Sequence, residues 1–236
     1  MRSDGRKNDQ MREMRIIPNF LKFAEGSALV EFGKTRVLCS ASVLEEVPPW
    51  MRAQKKSGGW LTSEYQMLPA STQERSKRET THISGRTHEI QRLVGRSLRA
   101  AIDLEKLGPR TIYIDCEVLD ADGGTRCASI NGGMASLAIA VRKLMDKGII
   151  QENPITSYIG AISVGIVGGK VMLDLCYEED STADTDMNVV MNDKKEFIEV
   201  QATAEHKPFN EDDLTAMLKM AKGGILKIIK ELKSIK

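Results

Sequence analysis

A strand that turns through paired glycines into a long apolar helix constrains this chain more than any other feature. Residues Thr111–Leu119 alternate apolar and polar side chains, as a half-buried strand does. The turn Asp122-Gly123-Gly124-Thr125-Arg126 follows, and a helix-like run continues to Lys147. Further strands are expected at Ser27–Phe32 and Thr35–Ser42, a hairpin around Gly33-Lys34, and at 159–167, 170–176, 187–191 and 196–203. From about Arg86 to Lys106 the residues Ile90, Leu93, Val94, Leu98, Ala101 and Ile102 recur at helical spacing, with Arg92, Arg96 and Arg99 on the opposite face. A last helix starts near Asn210, a good N-cap followed by three acids. It is expected to bury Leu214, Met217, Leu218 and Ala221 and to bend at Gly223-Gly224. Residues 48–82, rich in Pro, Gly, Lys, Ser and Thr without a sustained period, read as a long loop region. This order predicts an α/β chain of mixed layers built from two similar halves.

The length of 236 residues suffices for one large domain or two fused halves. No stretch approaches the roughly 20 apolar residues of a membrane span, so no membrane partner is expected. The polar start Met1–Arg6 lacks the apolar core of a signal peptide, so a cytoplasmic location is expected. Cys39, Cys116, Cys127 and Cys176 form no CxxC pair, and His82, His88 and His206 add no zinc-type spacing. Buried, reduced thiols are the expectation. The net charge of +1 does not announce a nucleic-acid partner, but it conceals a segregation. Residues 75–99 carry seven Lys or Arg against two acids, and residues 174–186 carry six acids and no base. A basic zone beside an acidic one suits a polyanion and a divalent cation, although charge runs also mark ordinary solvated faces.

The glycine turn carries the first candidate chemistry. Glycines let backbone N–H groups approach an anion, and a helix N-terminus adds free donors and a favourable dipole end. Thr125 and Ser129 offer hydroxyls, and Arg126 offers a planar fork for phosphate oxygens. Arg86, in Gly85-Arg86-Thr87, could supply a second guanidinium. The same residues also suit a tight turn with surface arginines, and these segments alone do not choose. Asp180 and Asp186 are the candidate cation ligands. On one continuous strand they would stand roughly 20 Å apart, so only a bend through Ser181–Thr185 brings them together. Paired carboxylates with room for water are the usual Mg²⁺ arrangement beside phosphate substrates, and an acidic surface loop is the alternative.

Taken in order, these segments resemble the ribonuclease PH family over nearly the whole chain. The similar stretches are Arg2-Ser-Asp-Gly-Arg6, Ala24–Gly33, Val47-Pro-Pro49, Gly85–Ala100, Ala121–Arg126, the acidic block ending Asp186–Met191, and Ile198–Gln201. The resemblance implies one domain over 1–236 with a duplicated βαβα core, mixed sheets packed with helices, and halves of about 1–125 and 126–236. It implies a homo-hexamer, a trimer of dimers, that trims the 3′ tail of tRNA precursors and other RNA 3′ ends. Inorganic phosphate is the implied co-substrate, nucleoside diphosphates are the products, and the reaction is reversible as nucleotidyl transfer. Carried over by position, Arg86, Gly124, Thr125 and Arg126 bind phosphate. Asp180 and Asp186 hold Mg²⁺ or Mn²⁺ and assist the reaction. Arg75 and Arg78 fall in the loop that grips RNA, and Arg92, Arg96 and Arg99 extend that basic surface.

Departures from the family pattern are few. Ala70 stands where arginine is common, and the 50–60 loop is slightly longer than usual. Cys127 and Cys176 replace a common threonine and a common acid, and Ala202 and His206 replace glycines. Three other activities share parts of this pattern. A hydrolytic Mg²⁺ nuclease would need the acids but no second anion site. A silent exosome-type ring subunit would tend to lose both acids and arginines. An active exosome-type core subunit would keep them.

Overall fold

The computed structural model describes residues 2–235 as two sheets with a helix buried between them. β1 (Met14–Pro18), β2 (Gly26–Phe32), β3 (Thr35–Leu44), α1 (Pro49–Ala53), β4 (Trp60–Met67), α2 (Gly85–Arg99), α3 (Leu104–Leu107), β5 (Thr111–Asp120) and α4 (Thr125–Asp146) come first. β6 (Ile159–Val167), β7 (Lys170–Leu173), α5 (Tyr177–Asp180), β8 (Thr185–Asn192), β9 (Phe197–Ala204) and α6 (Glu211–Ser234) follow. The first sheet runs β1-β2-β3-β5-β4, and the second runs β7-β6-β8-β9. Every pairing is antiparallel except β4 with β5. The expected α/β architecture of mixed sheets and helices is therefore present.

α4 explains the layering. Seventeen of its 22 residues are buried, and its apolar side chains face all round rather than along one stripe. Such a helix is stable only when covered on every side. It packs on β2, β3 and β5 of one sheet and on β6 of the other. Its one buried amide serves the second sheet. β7 reaches only Val164–Val167, so the first half of β6 lacks a neighbour on that edge. Asn131 substitutes for the missing strand: its Nδ2 donates to the Ala161 carbonyl at 2.9 Å, and its Oδ1 accepts from the Ala161 N–H at 2.8 Å.

Several expected boundaries change. The 48–82 loop contains α1 and β4, which leaves 54–59 and 68–84 without helix or strand. In β4 the inward residues are Leu61, Ser63 and Tyr65, so a serine breaks the apolar alternation. Its ladder partner, β5, lies more than forty residues ahead, beyond the reach of local pattern. The helix expected to run to Lys106 stops at Arg99. Asp103 then caps a separate α3, accepting from the Glu105 and Lys106 N–H groups. β7 ends at Leu173 rather than 176, because Asp174 takes a left-handed φ of 54°.

α6 continues as one helix from Glu211 to Ser234, through the Gly223-Gly224 pair where a bend was expected. Gly224 instead permits close packing, since a Cβ there would lie 2.7 Å from Ile162 Cδ1. Of the four residues expected to be buried in this helix, Met217 and Ala221 are, while Leu214 and Leu218 are half-buried. All four cysteines are buried and unbridged, as expected.

Asn131→Ala leaves both Ala161 backbone groups without partners. Urea denaturation should show a loss of about 2–4 kcal/mol.

Candidate active site

The glycine turn is built by left-handed backbone. Gly123 and Gly124 have φ of 75° and 68°, values that disfavour any side chain. A Cβ on Gly123 would also sit 2.6 Å from the Leu175 carbonyl. Thr35 Oγ1 pins the turn, donating to the Gly123 carbonyl at 2.7 Å and accepting from the Asp122 N–H at 2.9 Å. α4 then begins with Thr125 and Arg126, so its free N–H groups and both side chains open at one place. Thr125 Oγ1 is 3.0 Å from the hydroxyl of buried Tyr65.

Three arginines from the start of the chain sort the acidic cluster. Arg2 grips Glu179 with two bonds of 2.7 and 2.6 Å and donates to the Leu173 and Asp174 carbonyls. Arg12 takes both oxygens of Asp174, at 3.0 and 2.7 Å, and also reaches the Asp122 and Gly123 carbonyls. Arg6 donates to the Asp174 carbonyl at 3.0 Å. Burial pushes Glu179 up, and the Arg2 guanidinium more than offsets it, so this carboxyl stays below its usual range. Asp174 and Glu179 are therefore neutralised inside the fold.

Asp180 and Asp186 are left facing solvent-filled space. α5 ends at Asp180, a turn through Ser181–Asp184 reverses the chain, and β8 starts at Thr185. The bend that sequence spacing required is present. Both acids line one cleft of about 830 Å³ with Arg86, Glu89, Arg126, Asn188, Gln201, Thr203, Glu205 and His206. They also line a smaller recess of about 340 Å³ with Gly123, Gly124, Thr125, Arg86 and Arg126. Six of the residues singled out from sequence thus converge, contributed by α2, α4 and the α5–β8 segment.

The electrostatics of this cleft are unbalanced within each side and matched across it. Burial, then repulsion from Asp180, pushes Asp186 up to about 6, against the pull of Arg126. Burial also raises Asp180, opposed by Arg126, Arg86 and Arg12. Asp186 Oδ2 accepts from the Asn188 amide at 3.2 Å, and that amide is oriented by the Cys127 thiol at 3.3 Å. Asp186 Oδ1 is buried with no hydrogen-bond partner. Arg126 Nε and Nη2 both lie on Glu89 Oε2, at 3.2 and 3.0 Å, which aims its guanidinium. Arg86 is exposed and, among the described residues, has no ion-pair partner.

The remaining basic residues lie outside both cavities. Arg75 and Arg78 are exposed in the 68–84 loop, and Arg92 is exposed on α2. Arg96 is held by two bonds to Glu199, at 3.0 and 2.9 Å. Arg99 is turned back into the fold: its guanidinium lies 4.7 Å from the Trp60 ring centre and donates to the Leu61 carbonyl. Half-buried and engaged, it differs from the open cation expected on that helix face. Sequence reading missed Tyr65, Glu89, Asn188 and the Arg2–Arg12 network. Asn188 alone carried a usable signal, being two residues from Asp186 on the same strand face.

The donor set suits a hard cation. Among the described residues no three His, Cys, Asp or Glu side chains are arranged to hold a metal ion. Mg²⁺ needs only one or two carboxylates when water and phosphate oxygens complete its shell. The unpartnered Asp186 Oδ1 is the atom that such an ion would satisfy.

The raised Asp186 value has a consequence for stability. Its folded value of about 6 lies above the ordinary 3.8, so its contribution is fully present below pH 3.8 and is lost as pH rises through 6. In metal-free protein, Asp186→Asn should match the parent near pH 4 and exceed it at pH 8 by on the order of 2 kcal/mol. Added Mg²⁺ should narrow that gap by stabilising the parent alone, read by thermal denaturation.

Comparison with known proteins agrees with this geometry. Residues 10–143 match the model of the 3′ exoribonuclease family, domain 1, and residues 157–224 match domain 2 of the same family. Ribonuclease PH of Bdellovibrio bacteriovorus is 52% identical over 224 residues, covering 95% of this chain and 91% of that protein. Ribonuclease PH of Solibacter usitatus is 50% identical over 237 residues, covering 100% and 99%. Among solved structures, rice (Oryza sativa) Rrp46 superposes with a TM-score of 0.80 at 20% identity, covering 99% of each chain. A chain of the Archaeoglobus fulgidus exosome with RNA bound to the active site gives 0.81 at 24% identity, covering 98% and 92%. These two similarities concern the fold. With most of its length under the two domain models and full-length relatives at about half identity, the chain belongs to the 3′ exoribonuclease family.

Proposed function

We propose that the protein is a phosphate-dependent 3′–5′ exoribonuclease that trims the 3′ tail of tRNA precursors and releases nucleoside diphosphates. The observation that carries this reading is the meeting of Arg86 and Arg126 with Asp180 and Asp186 across one recess floored by Gly124 and Thr125. A hydrolase would need no second anion site. A phosphorolase needs two: one for the scissile phosphodiester and one for free orthophosphate.

Arg86, Arg126, the Thr125 hydroxyl and the N–H groups at the start of α4 hold orthophosphate, offsetting its repulsion from the RNA backbone. An orthophosphate oxygen attacks the last phosphorus, the new P–O–P linkage forms, and the bond to the 3′-oxygen of the shortened RNA breaks. That oxygen takes up a proton as it leaves, and a carboxyl of the Asp180–Asp186 pair is placed to pass it on. The same two carboxylates would hold Mg²⁺ or Mn²⁺, which when bound supplies positive charge beside the reacting phosphates. One phosphate linkage replaces another, so the reaction reverses when diphosphates are abundant.

RNA contacts extend to Arg75 and Arg78 on the overhanging loop and to Arg92 and Arg96 along α2, with Arg99 acting through Trp60. Contacts to phosphate and sugar make base identity secondary. A homo-hexamer, a trimer of dimers in the cytoplasm, is the proposed working form. Its support is the exposed apolar group Phe20, Leu21 and Phe23 on the β1–β2 connection. No helix among the described residues is long and apolar enough to cross a membrane.

A phosphate titration with a tailed tRNA, reading RNA length and released nucleotide together, tests the activity. Nucleoside diphosphates should appear in proportion to bound phosphate, whereas monophosphates released without phosphate would refute the reading. Arg126→Ala should raise the KM for phosphate at least tenfold, about the worth of one charge-assisted contact. Asp180→Ala with Asp186→Ala should abolish turnover while RNA binding persists.

A further inference from the structure

The chain has only two tryptophans, and they form one cluster at the end of α2 remote from the cleft. Trp50 of α1 and Trp60 of β4 meet edge to face, ring centres 5.1 Å apart at 88°. The Arg99 guanidinium also lies over the Trp60 ring. Trp50 is 40% exposed, and the Lys56 ammonium lies 5.2 Å from its ring centre. Arg52 and Lys55 are exposed in the same segment, Arg52 lying 4.0 Å from Glu46.

Two elements fix the distance to the cleft. Arg86 and Arg99 lie thirteen residues apart on α2, about 20 Å along its axis. Met67 lines the inner recess, and Trp60 sits at the other end of β4, roughly 23 Å back along the strand. Between them, the exposed side of α2 carries Arg92 and Arg96.

We propose that Trp50 is a stacking platform for a base of single-stranded RNA several nucleotides upstream of the reacting 3′ end. A half-exposed indole with a lysine over its face, in a segment that also carries Arg52 and Lys55, has the composition of a single-strand binding surface, where bases stack and the backbone meets positive charge. An apolar protein partner would match the ring but not the cations. Lys56, now over the indole, moves to a backbone phosphate when a base takes its place. The platform reads tail length: a strand too short to span α2 reaches the cleft but not Trp50. The inference rests on the proposed activity in one respect, that the strand's 3′ end occupies the cleft.

Tryptophan fluorescence, excited beyond the absorption of tyrosine, reports on this cluster alone, because the chain has no other tryptophan. Full-length protein in phosphate-free buffer, titrated with a long oligoadenylate, should show a saturable change that salt weakens. A dinucleotide or orthophosphate should give none. With tailed RNA, Trp50→Ala should raise KM about tenfold, the loss of one stacked base, with kcat retained. Trp50→Phe should keep the parental KM, and the difference should vanish on a tail of one or two nucleotides.

The platform is refuted if labelled oligoadenylate binds by anisotropy without a tryptophan signal, or if Trp50→Ala leaves KM unchanged on long tails. A signal that follows protein concentration rather than RNA would mean a second copy covers the ring, which also refutes it. Should the parent release no diphosphates, the reading of the cleft falls while the fluorescence arm still decides on Trp50.

Discussion

Arg12 on Asp174 is the interaction on which the site depends. Both groups are buried, so neither charge is tolerable without the other. The Asp174 carboxylate also accepts the Arg12 backbone N–H at 2.7 Å, while the guanidinium reaches the carbonyls of the glycine turn. One ion pair therefore joins three segments far apart in sequence: the N-terminal arm, the β5–α4 turn and the start of α5. Arg2 on Glu179 extends the same clamp to the residue beside Asp180. The anion-facing turn and the acid-bearing helix cannot drift apart without breaking it.

This clamp also explains how one dense run of acids acquires two roles. Asp174 and Glu179 are spent on arginines, whereas Asp180 and Asp186 remain without ion-pair partners among the described residues. Burial in the cleft raises both unpaired acids, and repulsion from Asp180 raises Asp186 further. Across from them Arg126 is steadied by Glu89 and Arg86 is left open. Charges held in place before substrate arrives need no reorganisation when charge develops on phosphate oxygens. The packing of α4 makes this possible, because a helix covered on all sides cannot shift its first turn to relieve the strain.

Away from the cleft, α2 carries a second logic. Its buried face packs on β4, and its outer face runs from Arg86 through Arg92 and Arg96 to the Arg99–Trp60 stack. Arg96 and Arg99, similar in sequence to Arg92, are engaged by Glu199 and by Trp60 with Leu61. Identical residue types on one helix thus divide into anchors and open cations according to what β4 and β9 place beside them.

By itself the sequence determined the strand–glycine–helix junction, the caps and most element types, because turn chemistry and hydrophobic period are local, and its family resemblance singled out six residues that line the cleft. Even the need for a bend between Asp180 and Asp186 followed from strand spacing alone. Tertiary structure decided what local pattern does not contain. β4 is a strand because a parallel partner more than forty residues later completes its ladder, and Gly224 serves close packing against Ile162 inside a helix that continues past it. Which acids are structural and which face solvent depended on arginines some 170 residues away, through ion pairs that no spacing rule encodes. Local chemistry named the residues that can act, and long-range pairing of charge and backbone selected those left free to do so.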